Sequence, residues 1–473
     1  MRVSQAAHVL NAHFIGGDVE FAAVNSDSRA IRRGDLFVAL KGERFDGNLF
    51  VAEAAAAGAA AALVDAAGAR TADRSSGAPI PLLVVADTLK ALGQLAHYWR
   101  RQFDVPLVAL TGSNGKTTVK EMLAAILREA VNTGSPVQDP KSLVLASRGN
   151  LNNHIGVPLT LLELRREHRY AVIEMGMNHA GEISYITRLA EPNVALINNS
   201  GVAHIENFGS TEAIARAKGE IFEGLRQNGV AVINADDRYA SLWRELAAGK
   251  RQLDFALEGK AAVTATYESR QLDSEIVLTT PLGAARAIVP APGRHNVANA
   301  LAAGAAATAL DVPTATVAAG LARFGGVNGR LQRKTCVHGA TLIDDTYNAN
   351  PDSLRAAIAV LAQASGKKLL VLGDMGELGR AAITLHTEAG EFAREAGIDR
   401  LLTLGELSAH ASRAFGAGAR HFTRIEDLLA EIENALAPDV TLLVKGSRFM
   451  QMERVVNAFA VVPSPRPGGQ ACF

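Results

Sequence analysis

The sequence predicts an α/β protein of three domains, and three observations carry that prediction. The chain has 473 residues, more than one hydrophobic core ordinarily serves at roughly 150 residues per domain. From Val105 onward, apolar runs of strand length alternate with segments of helical spacing, as in a parallel sheet covered on both faces. One such run, VPLVAL, leads straight into TGSNGKTT and a helical segment, the context of a phosphate-binding loop. The expected division is a small α/β domain over 1–103, a central parallel-sheet ATPase domain carrying that loop over 104–325, and a Rossmann-like α/β domain over 326–473.

Composition narrows the class further. Hydrophobic residues make up 48% and charged residues 20%, ordinary globular usage that excludes extended disorder. Lys plus Arg and Asp plus Glu both number 48, so no global field draws the chain to nucleic acid or an anionic membrane, and any anion site must be local. Cys336 and Cys472 stand far apart without C-x-x-C spacing, which speaks against a disulfide framework or a thiolate zinc site and for a reducing cytoplasm. The start, MRVSQAAHVLNAHF, has no apolar core followed by a cleavage site, so no secretion signal is expected. The most apolar stretches, such as residues 54–64, fall short of the roughly 18 to 20 residues of a membrane span.

In the first hundred residues, apolar runs at 36–40, 60–64 and 81–85 separated by polar turns predict the small α/β unit. Residues 68–79 read as a loop, and Leu89, Leu92, Leu95 and Tyr98 set a helical stripe over 88–103. The central domain then reads as strand VPLVAL, a helix over 116–130, and strands YAVIEMG, NVALINNSG and NGVAVINAD. Residues 263–290 alternate polar and apolar around Gly and Pro turns, predicting an antiparallel patch. Helices over 296–309 and 314–324 close the domain, and the third repeats the α/β rhythm with strands TLIDD, KKLLVLGD, RLLTLG and TLLVKGS. The tail VVPSPRPGGQACF is expected to fray.

The chemistry concentrates at strand ends. In Thr111-Gly112-Ser113-Asn114-Gly115-Lys116-Thr117-Thr118, glycines let backbone N–H groups approach phosphate oxygens and the helix N-terminus adds positive potential. Lys116 would neutralise terminal phosphates and Thr117 would reach magnesium, making this an ATP site; a mere helix cap is the alternative. The strict G-x-x-x-x-G-K-[ST] spacing fails, because Leu110 stands at the first glycine position. Glu174 ends strand YAVIEMG, where ligands gather in open α/β sheets, and is either a magnesium ligand or a solvated carboxylate. His204 follows the next strand, and a satisfied loop histidine is the commoner reading than a metal ligand. Lys218 reads alone as a solvated charge, and Asn296 and Asn299 either bond a base edge or cap the helix. In the third domain Arg330, Asp344 to Pro351, Gly373-Asp374-Met375 and Lys445 to Arg448 are each simplest as turns or caps, but together suggest one wall of a cleft.

Taken in order, TGSNGKTTVKEM, GNLNNHIGVPLTLL, VIEMGMNHAGEI, AHIENFGS, ARAKGEIF, PGRHNVANALAA, DDTYNANPDS, LGDMGELG and LVKGSR resemble the Mur ligases of peptidoglycan synthesis across nearly the whole chain. The shortened loop from Gly112 is the form that family uses. DTYNANPDS and LGDMGELG, with no DNPR segment, resemble the members that add D-alanyl-D-alanine to UDP-N-acetylmuramoyl-tripeptide. The resemblance implies ATP bound by Gly112, Ser113, Asn114, Gly115, Lys116, Thr117 and Thr118, with Asn296 on adenine, Asp345 on ribose and Arg330 on phosphate from the opposite domain. It implies two magnesium sites, served by Thr117, Glu174 and His204, and a carbamate on Lys218. It further implies that Ser28, Arg29 and Lys41 hold the uridine nucleotide, whereas Asn48 stands where the family often has histidine, and that Asn348 and Asn350 lie at the substrate. FVALKGERFDG read by itself is a strand and a polar turn. A monomer with a closing cleft is expected. The rivals are folylpolyglutamate synthase, disfavoured by DTYNANPDS and the first domain, a kinase or ATP-driven switch, and a nucleotide-binding scaffold.

Overall fold

The computed structural model describes residues 1–43, 45–74, 80–132, 139–201, 205–270 and 273–461. Among them the strands form three sheets, one for each expected α/β unit. The first holds β1 (His13–Ile15), β2 (Ala23–Asn25), β3 (Asp35–Val38), β4 (Ala61–Asp65) and β5 (Leu82–Val85) in the order β1-β5-β4-β3-β2. Only β1 runs antiparallel to its neighbour.

The central sheet holds β6 (Leu107–Thr111), β7 (Val144–Ala146), β8 (Tyr170–Glu174), β9 (Val194–Ile197), β10 (Val230–Asn234), β11 (Arg251–Ala256), β12 (Val263–Ser269), β13 (Ser274–Thr280) and β14 (Gly283–Val289). Its order is β14-β13-β12-β11-β10-β9-β6-β8-β7. Strands β6 and β9 are buried at every residue because helices cover both faces, so their sequences are continuously apolar. From β12 to β14 the pairing turns antiparallel, as the alternation over 263–290 predicts. Burial in β13 alternates accordingly, with Ser274, Ile276, Leu278 and Thr280 inward. The helices Arg294–Thr308 and Thr314–Ala322 supply part of that core.

The third sheet holds β15 (Gln332–Thr335), β16 (Thr341–Asp345), β17 (Lys367–Gly373), β18 (Arg400–Leu404), β19 (Ala419–Phe422) and β20 (Val440–Lys445), ordered β15-β16-β20-β17-β18-β19. It is parallel except for β15. In the central and third sheets, the C-terminal strand ends carry the motif loops.

One expectation is corrected here. The loop expected over 68–79 is helical as far as residue 74, within the helix Ala66–Arg74. Asp65 Oδ1 accepts the N–H groups of Ala67 at 2.8 Å and Gly68 at 2.9 Å, and that cap starts a helix whose alanines favour it. Residues 75–79, and the expected frayed tail from residue 462, lie outside the described residues.

The first and central sheets share one apolar core, in which Val3, Leu36, Leu63, Leu92 and Leu95 pack in the same cluster as Leu107, Val157, Ile173 and Ile186. The helix Thr88–Arg100 is the joint. At its end Arg100 is fully buried and donates from Nε to Ala190 O at 2.9 Å, from Nη1 to Phe103 O at 2.8 Å and from Nη2 to Val105 O at 3.1 Å. Burial pulls its guanidinium down to about 10, yet it stays charged at neutral pH. Arg100→Ala would strand these carbonyls, and a loss of about 3 kcal/mol or more is expected from the urea midpoint. A loss under about 1 kcal/mol would show that the carbonyls find water instead.

Candidate active site

The loop from Thr111 to Lys116 is fastened by the end of β9. Ser113 N–H donates to Asn199 O at 3.0 Å and Asn114 N–H to Asn199 Oδ1 at 2.9 Å. The amides of Asn198 and Asn199 both donate to Asn114 O at 3.0 Å, and Gly201 N–H donates to Ser113 Oγ at 2.8 Å. Gly115 has a φ of +79°, and a Cβ there would lie 2.3 Å from Asn299 Oδ1 and 2.7 Å from Asn198 Nδ2. Only glycine meets both conditions. The helix Lys116–Asn132 follows at once, and its first-turn N–H groups lack intrahelical acceptors by geometry.

Lys116 curls back over this loop, donating to Gly112 O at 2.7 Å, and burial lowers the pKa of its ammonium. Thr117 stands at a junction of domains: its hydroxyl donates to Glu174 Oε2 at 2.9 Å and accepts from Arg330 Nη2 at 3.0 Å. Glu174 is 2% exposed, and its other oxygen accepts from Asn152 Nδ2 at 2.8 Å. Arg330 comes from the third domain, lies over the Tyr347 ring at 4.3 Å, and keeps its Nε buried with no hydrogen-bond partner. An orphaned guanidinium N–H beside a phosphate-type loop fits an absent phosphate oxygen.

A cavity of about 320 Å³ opens between the central and third domains, lined among others by Thr118, Pro292, Asn296, Phe324, Arg330 and Val360. That size suits a small ligand. Asn296 donates to Pro292 O at 2.8 Å and accepts from Asn299 Nδ2 at 3.3 Å, while Asn299 Oδ1 accepts from Asn198 Nδ2 at 2.9 Å. The asparagines thus run in a chain from the cavity to the phosphate loop.

Lys218 is 2% exposed, and its amine makes no hydrogen bond or ion pair among the described residues. Burial, with the like charge of Lys116, holds its amine well below the usual lysine range, opposed by Asp237. Burial raises the carboxyl of Asp237, which accepts from Ser200 N–H at 2.8 Å and Tyr239 N–H at 2.9 Å.

The remaining expected residues divide. Asp345 accepts from Lys445 Nζ at 2.5 Å and from Leu331 N–H at 3.1 Å, so both its oxygens are engaged inside the third domain, and burial pushes its carboxyl up. Asn350 caps the helix Pro351–Ala362 in a box with Ser353 and donates to Asn114 Oδ1 at 2.8 Å, joining the third domain to the phosphate loop. Asn348 uses its side chain on Ala349 N–H at 2.9 Å and its carbonyl on Lys445 at 2.9 Å. In the first domain Ser28 bonds Glu53 at 3.0 Å, Arg29 pairs with Asp27 at 2.8 Å and Lys41 with Asp46 at 3.7 Å, all on exposed surface. Asn48 is buried, with Oδ1 unpartnered and crowded toward Gly68. His204 lies outside the described residues.

Among the described residues no three His, Cys, Asp or Glu side chains gather as a metal cluster. A hydroxyl and one carboxylate at Thr117 and Glu174 nonetheless suit magnesium, which takes one or two protein oxygens and completes its shell with phosphate and water. Asn152, Asn198, Asn199 and Asp237 were not assigned to the site by sequence; the signal available was their place just beyond buried strands or in an asparagine run.

Three family models match in order: Mur ligase family, catalytic domain, over 20–100; Mur ligase middle domain over 110–307; and Mur ligase, glutamate ligase domain, over 329–448. The chain is 43% identical to the UDP-N-acetylmuramoyl-tripeptide–D-alanyl-D-alanine ligase of Escherichia coli (strain K12), with 96% of this chain and 97% of that one covered. The chain belongs to the Mur ligase family. Among solved structures, this Mur ligase resembles MurF from Acinetobacter baumannii at a TM-score of 0.86 and 39% identity, covering 96% of this chain and 97% of that one. It also resembles the MurF ligase of Thermotoga maritima in complex with ADP, at a TM-score of 0.77 and 26% identity over 92% and 96% of the two chains. It is an ATP-dependent ligase of three-domain Mur architecture.

Gly115→Ala should leave the fold intact and abolish ADP binding measured by calorimetry, because the methyl collides with the side chains of Asn299 and Asn198. Retained affinity with a folded protein would mean that the loop is not the nucleotide site.

Proposed function

We propose that this Mur ligase joins D-alanyl-D-alanine to UDP-N-acetylmuramoyl-tripeptide, yielding the pentapeptide precursor of peptidoglycan with ADP and phosphate. The observation that carries the reading is the 43% identity to an enzyme of that name over all three domains, with the phosphate loop intact. A carboxylate is a poor acyl donor, so ATP passes its terminal phosphoryl group to the tripeptide's carboxylate oxygen and ADP leaves. The free amine of the dipeptide then attacks the acyl carbon, the C–O bond to phosphate breaks, and the amine gives up its proton.

No side chain needs to become covalently attached in this sequence; positioning and charge do most of the work. Lys116 and the loop's N–H groups receive the terminal phosphates, and Arg330 reaches them from the third domain. Asn296 meets adenine in the cavity, and Asp345, released in part from its present partners, meets the ribose. Magnesium supplies positive charge to the transferring group; Thr117 and Glu174 would hold one ion, and Lys218 with His204 would serve a second. A neutral amine captures carbon dioxide, and the depressed pKa of Lys218 supports a carbamate there. As pH falls below that pKa the amine protonates and the carbamate is lost.

The uridine nucleotide would lie along Ser28, Arg29 and Lys41 in the first domain, with Asn348 and Asn350 near the substrate. The acyl phosphate must be kept from water, so the third domain closes on the central one during turnover. No helix among the described residues is long and apolar enough to cross a membrane. We place the enzyme in the cytoplasm as a monomer that engages no nucleic acid.

Phosphate release from ATP is expected only when both the tripeptide nucleotide and D-alanyl-D-alanine are present, with stoichiometric pentapeptide by mass. Turnover indifferent to the dipeptide would return the protein to the kinase or switch class. Lys218→Ala should lose activity that short carboxylic acids partly restore, and full activity without them would remove the carbamate from the mechanism.

A further inference from the structure

The asparagine run over 149–162 has no part in the reaction as derived, yet the structure ties it to the centre of the site. Asn152 is half-buried, and its carbonyl accepts from Gly176 N–H at 2.7 Å. A Cβ on Gly176 would stand 3.0 Å from Asn152 Oδ1 and 3.2 Å from its Nδ2, so the amide packs against bare backbone. From there Nδ2 donates to Glu174 Oε1 at 2.8 Å. Glu174 is secured from behind as well, its own N–H donating to Ser147 Oγ at 3.0 Å. Ser147 is 2% exposed and accepts from Lys120 Nζ at its carbonyl at 2.6 Å. Lys120 lies one helical turn beyond Lys116, so the helix that begins at the phosphate loop also braces the strand carrying Glu174.

We propose that Asn152 is a positioning residue for the magnesium-binding carboxylate, an inference that rests on Glu174 serving magnesium. Its amide occupies Oε1 and leaves Oε2 turned toward Thr117 and the phosphates. The ion would then meet one oxygen of Glu174 in a fixed direction. An uncharged donor suits this task, because it orients the carboxylate without neutralising it. Ser147 and Lys120 fix the backbone from which that side chain springs.

The test is a magnesium titration of ADP binding to the full chain by calorimetry. Asn152→Ala is expected to weaken magnesium-dependent ADP binding by roughly 10- to 100-fold, as loss of a ligand's supporting hydrogen bond does, while metal-free ADP affinity stays within about twofold. Gly176→Ala keeps every donor and acceptor but presses on the Asn152 amide, and should weaken the same dependence by roughly three- to tenfold. It stands in should Asn152→Ala fail to fold. Glu174→Gln separates the two readings. If that variant loses the magnesium dependence while Asn152→Ala and Gly176→Ala keep it, the positioning role is overturned; if Glu174→Gln keeps it too, the magnesium assignment falls first.

Discussion

The Thr117 hydroxyl is the point on which the site's geometry turns. It donates to Glu174 at the end of β8 and accepts from Arg330 on the third domain. One oxygen therefore links the phosphate loop, a strand-end carboxylate and a cation from another sheet, and no aliphatic residue could make both bonds. Around it the asparagines at the end of β9 hold the loop open, and Asn350 adds a second bond from the third domain to Asn114. A ligand arriving at Thr117 meets all of these groups at once.

The two inter-domain joints differ in kind, and the difference suits the chemistry. The first and central domains share a continuous apolar core and the buried Arg100, so parting them would expose hydrocarbon and strand a cation's acceptors. At the third domain, polar contacts such as Arg330 to Thr117 and Asn350 to Asn114 cross the junction, and Arg330 also lines a cavity there. Water can replace such bonds at little net cost, because their contribution over hydrated groups is only about 1 kcal/mol each. The junction with the third domain is thus the weaker of the two, held by polar bonds across it rather than by a shared apolar core.

What the sequence made legible follows from burial. Strands β3, β6, β8, β9, β16, β17 and β20 sit inside their sheets and read as apolar runs, whereas β1, β2, β15 and β19 lie at sheet edges, are short and half-covered, and carry no such run; β7, also at an edge, is buried but only three residues long. Interior β11 escaped for a related reason: RQLDFA begins on exposed polar residues and is buried only at its end. At the site, the loop and Glu174 were visible because strand, glycine and carboxylate occur in one local pattern. Arg330 and Lys218 were not, since the groups that bring them to the phosphate loop, Thr117 and Lys116, lie more than a hundred residues away in sequence, and only the family resemblance raised them. Asn152 was missed because its partner is a side chain on a neighbouring strand end, which no local spacing encodes.

Charge explains why so much basic chemistry tolerates burial here. Lys116 loses its proton more readily through burial and the nearby Arg330, with Glu174 opposing; Lys218 is lowered by burial and by Lys116, with Asp237 opposing. Two cationic groups, Lys116 and Arg330, thus converge on a site whose carboxylates are already hydrogen-bonded, while burial favours the neutral form of the Lys218 amine, which makes no side-chain hydrogen bond among the described residues. Isolated buried charge is costly unless it is neutralised or paired. A polyphosphate would supply the missing counter-charge for Lys116 and Arg330, and a neutral Lys218 amine is the form that takes up carbon dioxide. A polyphosphate at the loop would pair with Lys116 and Arg330 together, so their convergence beside oriented backbone N–H groups suits an anion site already arranged in the fold.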